Sequence, residues 1–318
     1  MKILSAKEEK LLSLEERRYY YQSLKDYLLS TEHEKLSNGS LTVCPKINPL
    51  VRKSLRTFCG YPIYIDGENV EGLNGIYAYT HQDKFDHVNF VVGNPNHTIL
   101  LNSAVLAPIY KIVLNINGVI YVDKNSKEDK SKAKLEMMRL LLQDKGITIF
   151  PESAWNLSPN KLLLPMYIGM VDMARKTGMP IIPVVQEYSY KNMNDGKEHI
   201  DYVRLRYDHP IYVKDSDDLE EKLEEVRTSL ATMRWDLYEE KGLFERRNIT
   251  NFEYINFIMA SIRNLQKAGI DLKVEEQGIF GANDTFYQDH YLNAVDYDEF
   301  GVMIPKDADS NFDKSLCK

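Results

Sequence analysis

Between residues 61 and 185, short apolar runs alternate with stretches of helical periodicity, and no other feature restricts the fold of this chain so strongly. The runs at 63–65, 76–79, 98–101, 119–122, 147–150 and 181–185 have the length of strands and are rich in β-branched and aromatic residues. Between them, residues 85–92, 103–114, 126–144 and 164–176 space their apolar side chains for a helix, and Gly178 stands where the last of these should stop. Strands and helices alternating at these lengths predict an α/β fold, a mostly parallel central sheet with helices on both faces. In such sheets ligands collect at the carboxyl ends of the strands. The residues just past each run are therefore where chemistry is expected.

The flanks read differently. Residues 7–30 form an amphipathic pattern with Tyr19, Tyr20, Tyr21 and Tyr27 beside Arg17 and Arg18, suited to packing on the main domain or to a membrane interface. A short basic amphipathic segment follows at 49–56. Residues 202–206 and 210–213 read as late strands, antiparallel at the sheet edge. From 215 to 241, Leu219, Leu223, Val226, Leu230, Met233 and Leu237 make the stripe of a long helix, a core-packing signal. A further helix is expected over 251–268, and loops with a frayed end over 277–318. The expected organisation is a helical N-terminal segment (1–58), an α/β core (59–214) and a helical C-terminal extension with a loop-rich tail (215–318).

Composition narrows the classes of function. A net charge of −7 argues against a nucleic-acid binder, and 43% hydrophobic residues suffice for a sizeable core. Three cysteines, Cys44, Cys59 and Cys317, with no CxxC pair, suggest reduced thiols and a cytoplasmic setting. No apolar run approaches the ~18 residues of a spanning helix, so the expected membrane relationship is peripheral, on the inner face.

The run at 76–79 stops at a polar turn carrying His81, and Asp86 follows where the rhythm becomes helical. On one helix, residues five apart would diverge by about 140°. With His81 on the turn and Asp86 in the first helical turn they converge, and the carboxylate can fix the imidazole tautomer so that the other nitrogen takes a proton. An incidental histidine on a surface turn fits this spacing equally well when it is taken alone.

Three further run ends carry polar residues: Asp123 and Lys124 after 119–122, Pro151 and Glu152 after Phe150, and the stretch ending near Pro183. Taken in order, these stretches resemble the motifs of the glycerolipid, PlsC-like lysophospholipid acyltransferases over roughly residues 60–190. His81 and Asp86 match a His-x4-Asp motif. Gly118, Tyr121, Val122 and Asp123 match the second motif, and Phe150, Pro151 and Glu152 the third. Pro180 and Pro183 match the fourth. The resemblance implies an O-acyltransferase that needs no cofactor or metal. Acyl-CoA or acyl carrier protein would be the thioester donor, and a hydroxyl, of a lipid by implication, the acceptor. His81 would act as general base oriented by Asp86, and Asp123, Lys124, Glu152, Ser153, Trp155 and Asn156 would bind the acceptor. Glu152 also reads as a carboxylate capping a neighbouring turn.

The departures from the family pattern bear on substrate. Lys124 and Trp155 stand at arginine positions, and Ser153-Ala154 replaces Gly-Thr. An ammonium cannot form the planar bidentate fork of a guanidinium with phosphate. Trp155 and Asn156 suit a sugar, polyol or other hydroxyl acceptor, so a glycan acceptor is expected beside a lysophospholipid one. A catalytically silent lipid-binding module and an acyl thioesterase are the competing readings.

Overall fold

The computed structural model describes residues 3–4, 6–30, 48–82, 85–96, 98–103, 115, 117–123, 126–153, 156, 162–190, 200–240, 295–297 and 303–305. The helices of which an extent is given below are α1 (Ala6–Lys10), α2 (Leu14–Ser30), α3 (Asn48–Cys59), α4 (Asp86–Gly93), α5 (Lys127–Leu142), α6 (Gly169–Thr177) and α7 (Leu219–Glu240). The strands are β1 (Ile63–Gly67), β2 (Ile76–Tyr79), β3 (Thr98–Ser103), β4 (Val119–Val122), β5 (Gly146–Ile149), β6 (Ile181–Tyr190) and β7 (Ile200–Tyr207). They form one sheet in the order β1-β7-β6-β2-β5-β3-β4, and a separate pair, β8 (Val295–Tyr297) and β9 (Met303–Pro305), is antiparallel.

Every pairing in the large sheet is parallel except β6 with β7. The antiparallel late strand is thus present, but it is not at the edge: β1 pairs parallel to it from outside. Period-two alternation sorts the central strand between two cores. Ile76 and Ala78 of β2 join a cluster with α2, α5, α6 and α7, whereas Tyr77 and Tyr79 join one with α4 on the opposite face. All four are fully buried, as a strand covered on both sides must be.

Several expected elements take other forms, each for a local reason. The single helix over 7–30 is two: Ser13 and Glu16 make a reciprocal capping box, Glu16 N–H donating to Ser13 Oγ at 3.3 Å and Ser13 N–H to Glu16 Oε2 at 2.8 Å, which restarts the helix. The helix expected from 164 begins only at Gly169; before it, Leu164 N–H is bound to Glu152 and Tyr167 N–H to Pro151 O, and these bonds tie the segment to the end of β5. Gly178 ends that helix in the left-handed region, φ +76°, as expected. The strand expected at 210–213 reduces to a single bridge between Ile211 and Ile181. Pro210 lacks an N–H, and the Lys214–Asp217 turn, Asp217 N–H donating to Lys214 O, already redirects the chain. Within the stretch expected to be loops, β8 and β9 pair. Of the helix expected over 103–114, Ser103 instead ends β3 and residues 104–114 lie outside the described residues, as does the helix expected over 251–268.

The N-terminal helices belong to the main core. Tyr20, Tyr21, Leu24 and Leu28 of α2 are buried against it, each leucine contributing about 1.5–3 kcal/mol. Beside them Glu9 reaches Lys176 (2.5 Å) and Arg175 (3.5 Å) on α6 and accepts from Tyr21 Oη at 3.1 Å, so α1 is tied down by buried charges. The Tyr20, Tyr21, Leu24 and Leu28 side of residues 7–30 is therefore covered by protein, whereas Leu11, Leu14, Tyr19 and Leu29 are exposed. Among the described residues no helix is long and apolar enough to cross a membrane.

Candidate active site

β2, β5 and β6 are neighbours and parallel, so their carboxyl ends deliver Thr80-His81, Phe150-Pro151-Glu152 and Gln186–Tyr188 to one place. β2 stops at Tyr79 because Thr80 turns its polar groups into β6: Gln186 N–H donates to Thr80 Oγ1 (3.1 Å), and Gln186 Nε2 donates to Thr80 O (3.1 Å). The chain leaves the sheet there and re-enters a helix at Asp86, five residues beyond His81.

His81 Nδ1 lies 2.7 Å from Asp86 Oδ2, the convergence that a strand-exit turn followed by a helix start allows. The same Oδ2 accepts Gln82 N–H at 2.6 Å, while Oδ1 accepts the Tyr188 hydroxyl. Asp86 is fully buried and the His81 side chain is 11% exposed. Three donors on a buried carboxylate favour its ionised form, and Asp86 also sits in the first turn of α4, where the helix dipole favours negative charge. With Nδ1–H committed to Asp86, Nε2 is the ring nitrogen on which a proton can be taken up.

The imidazole is also held by its face. Phe150 stacks on it with centroids 4.1 Å apart and planes at 19°, and His87 lies beyond at 5.8 Å. Burial, and then the charge of His81, lower the His87 pKa to about 3, so His87 is neutral near pH 7. The backbone of His81 is pinned at both ends. Its N–H donates to Glu152 Oε1 (3.2 Å), and its carbonyl accepts Asn156 N–H (2.7 Å).

Glu152 is fully buried, with its second oxygen accepting Leu164 N–H at 2.7 Å. Burial pushes its pKa up to about 7; the Arg234 charge and the two backbone donors pull against that, and Asp86 adds to it. The turn-capping reading of Glu152 thus describes its bonds. Asn156 is buried as well, with Nδ2 donating to Leu162 O at 3.2 Å. Ser153 occupies φ +56°, in the left-handed region, at the place where the resembled pattern has glycine. Asp123 lies elsewhere: it leaves β4, the far edge of the sheet, three strands and about 14 Å from β2. Its N–H is bound to Asp129 Oδ2 at 2.6 Å. Lys124 and Trp155 lie outside the described residues. Among those residues no three His, Cys, Asp or Glu side chains group as a metal site.

Sequence reasoning missed the outer support of this site. Tyr188, far along β6, bonds Asp86; Asn89 Nδ2 donates to Tyr188 Oη (2.7 Å), and Tyr61 Oη to Asn89 Oδ1 (2.8 Å). A chain of donors therefore runs from Tyr61 to Asp86 across β6, α4 and the approach to β1. Arg234, inside the apolar stripe of α7, is 3% exposed and donates to Leu162 O. The only sequence signal for it was a cation at a core-facing position of that helix.

Residues 62–187 match the family model described as Acyltransferase. The chain is 27% identical over 122 residues to the 1-acyl-sn-glycerol-3-phosphate acyltransferase of Haemophilus influenzae, covering 37% of this chain and 50% of that protein. It is 31% identical over 83 residues to the Borreliella burgdorferi enzyme of the same name, covering 26% of this chain and 32% of that protein. The chain thus spans about half and a third of the lengths of these relatives. A crystal structure of the Thermotoga maritima 1-acyl-sn-glycerophosphate acyltransferase PlsC aligns with TM-score 0.48 and 17% identity, over 69% of this chain and 89% of that one.

Proposed function

We propose, from the match of residues 62–187 to the family model described as Acyltransferase, that the protein moves an acyl group from a thioester to a hydroxyl of a glycerolipid acceptor. The observation that carries this reading is the 2.7 Å contact between His81 Nδ1 and the buried Asp86 carboxylate at the end of β2. As the acceptor oxygen attacks the thioester carbonyl carbon, His81 Nε2 takes the hydroxyl proton. Asp86 holds the tautomer and steadies the imidazolium. The tetrahedral intermediate collapses with loss of the C–S bond, and the imidazolium returns its proton to the departing thiolate. The chemistry uses no acyl-enzyme.

Either acyl-CoA or acyl carrier protein fits as donor. On the acceptor side, the names of the relatives favour a lysoglycerophospholipid, whereas Lys124 and Trp155 at arginine positions favour a glycan or polyol hydroxyl. A lysoglycerophospholipid acceptor implies reversible contact with a membrane surface. α3 is the described element best suited to it, with Leu50 67% exposed beside exposed Lys53 and Arg56.

The test follows thiol release and lipid product with both donors and a panel of lysophosphatidate, other lysolipids, sugars and polyols. We expect release that depends on acceptor and falls about 10²–10⁴-fold in His81→Ala. Release without acceptor would mean a thioesterase, and no turnover with any pair would overturn the reading. Flotation with anionic liposomes at low salt tests the surface contact, which is refuted by no association.

A further inference from the structure

Arg234 belongs to α7, beyond the region that matches the family, yet it is buried against the loop that completes the site. Its Nη1 donates to Leu162 O, and the same carbonyl accepts Asn156 Nδ2. Two residues on, Leu164 N–H binds Glu152 Oε2, while Glu152 Oε1 takes His81 N–H and Asn156 N–H takes His81 O. Arg234 Nε lies 3.7 Å from Glu187 Oε2 on β6, and Glu187 in turn accepts from Gln82 Nε2 at 3.3 Å. One guanidinium therefore contacts the two supports of the turn that presents His81: the 162–164 loop, which holds Glu152 and Asn156, and Glu187, which holds Gln82.

We propose that Arg234 is a positioning residue for His81, an inference that rests on the acyltransferase reading. Its guanidinium anchors the 162–164 loop and keeps the Glu152 carboxylate charged enough to accept two backbone N–H groups. A buried carboxylate with no cation nearby takes up a proton, and a protonated Glu152 holds the His81 amide less firmly. Among the described residues, the charged and titratable groups around Glu152 are His81 and Asp86 at the β2–α4 turn, His87 on α4, Glu187 on β6 and Arg234 on α7. Of these, Arg234 carries a fixed positive charge, and that charge lowers the Glu152 pKa. α7 thereby becomes part of the active-site scaffold, in addition to its leucine stripe serving the core.

The His81 amide reports on Glu152 directly, because it donates to that carboxylate. In the intact protein its ¹⁵N–¹H shift should titrate with an inflection near pH 7, and the inflection should vanish in Glu152→Gln. In Arg234→Met it should move alkaline by about one pH unit, and the rising limb of kcat with it, so that kcat at pH 7 falls roughly fivefold with little change in KM. Arg234→Lys, which keeps the charge but not the fork, should restore the limb, and it provides a folded comparison should the methionine variant fold poorly. A uniform loss across pH, an unmoved amide titration, or kcat that ignores a moved titration would each overturn the proposal. If the wild-type protein turns over no thioester at all, it is the functional reading that has failed. The amide titration alone then decides whether Arg234 controls Glu152.

Discussion

Replacing Asp86 by asparagine changes one atom of a fully buried group and leaves it no good orientation. If the amide oxygen stays toward His81 Nδ1 and Gln82 N–H, the NH2 faces Tyr188 Oη, which already accepts Asn89 Nδ2 at 2.7 Å. The tyrosine then receives two donors and its own O–H loses the carboxylate. If the amide is flipped, the NH2 opposes Gln82 N–H and forces the His81 proton onto Nε2, the nitrogen needed as base. The first orientation leaves a buried donor unsatisfied, at a cost of about 1–3 kcal/mol, and the second removes the base. Both orientations also lose the negative charge that steadies the imidazolium. We expect kcat for acceptor-dependent thiol release to drop by about 10²–10⁴ in Asp86→Asn, with a smaller change in KM. Turnover should be measured from pH 6 to 9 on protein whose fold is verified by circular dichroism. Activity within about threefold of wild type at neutral pH would refute the reasoning and reduce Asp86 to a helix-start residue.

Tyr188→Phe removes one donor from the same carboxylate and the acceptor of Asn89; kcat should fall while KM holds, and an unchanged kcat would take Tyr188 out of the site. Ser153→Gly relieves a left-handed backbone worth about 1–2 kcal/mol, less the ~0.5–1 kcal/mol that glycine loses on folding. Urea unfolding should therefore show a small gain, and equal or lower stability would mean that contacts of the serine side chain offset the strain. Glu152 sets a pH dependence of its own. Its folded pKa of about 7 lies above the ordinary value of 4.5, so the wild type has its full relative stability below about pH 4.5 and loses it as pH rises through about 7. Relative to Glu152→Gln, the wild type should lose roughly 3 kcal/mol across that window. His87, held neutral down to about pH 3, pulls the opposite way below pH 6.5 in both proteins and cancels in the difference. A flat difference would show that Glu152 ionises as freely as a surface carboxylate.

The sequence by itself determined what local periodicity can carry. Strands β2 and β4 have the bounds read from their apolar runs, and Gly178 stops α6 because a left-handed C-cap is a property of that residue. The meeting of His81 with Asp86 was also legible, since it depends on only four intervening residues and one change from strand to helix. Pairings that span the chain were not. Tyr188 reaches Asp86 across 102 residues, and nothing local in β6 marks that tyrosine from its neighbours. The late start of α6 was hidden for the same reason: residues 164–168 have helical spacing, but Leu164 and Tyr167 are bonded to Glu152 and Pro151, more than ten residues earlier in the chain. Arg234 reads as an exception in a leucine stripe until the fold brings α7 beneath the 162–164 loop. Spacing along a chain reports which face of an element is apolar. Which polar groups are buried together depends on the order of strands in the sheet, and only the tertiary structure decides that.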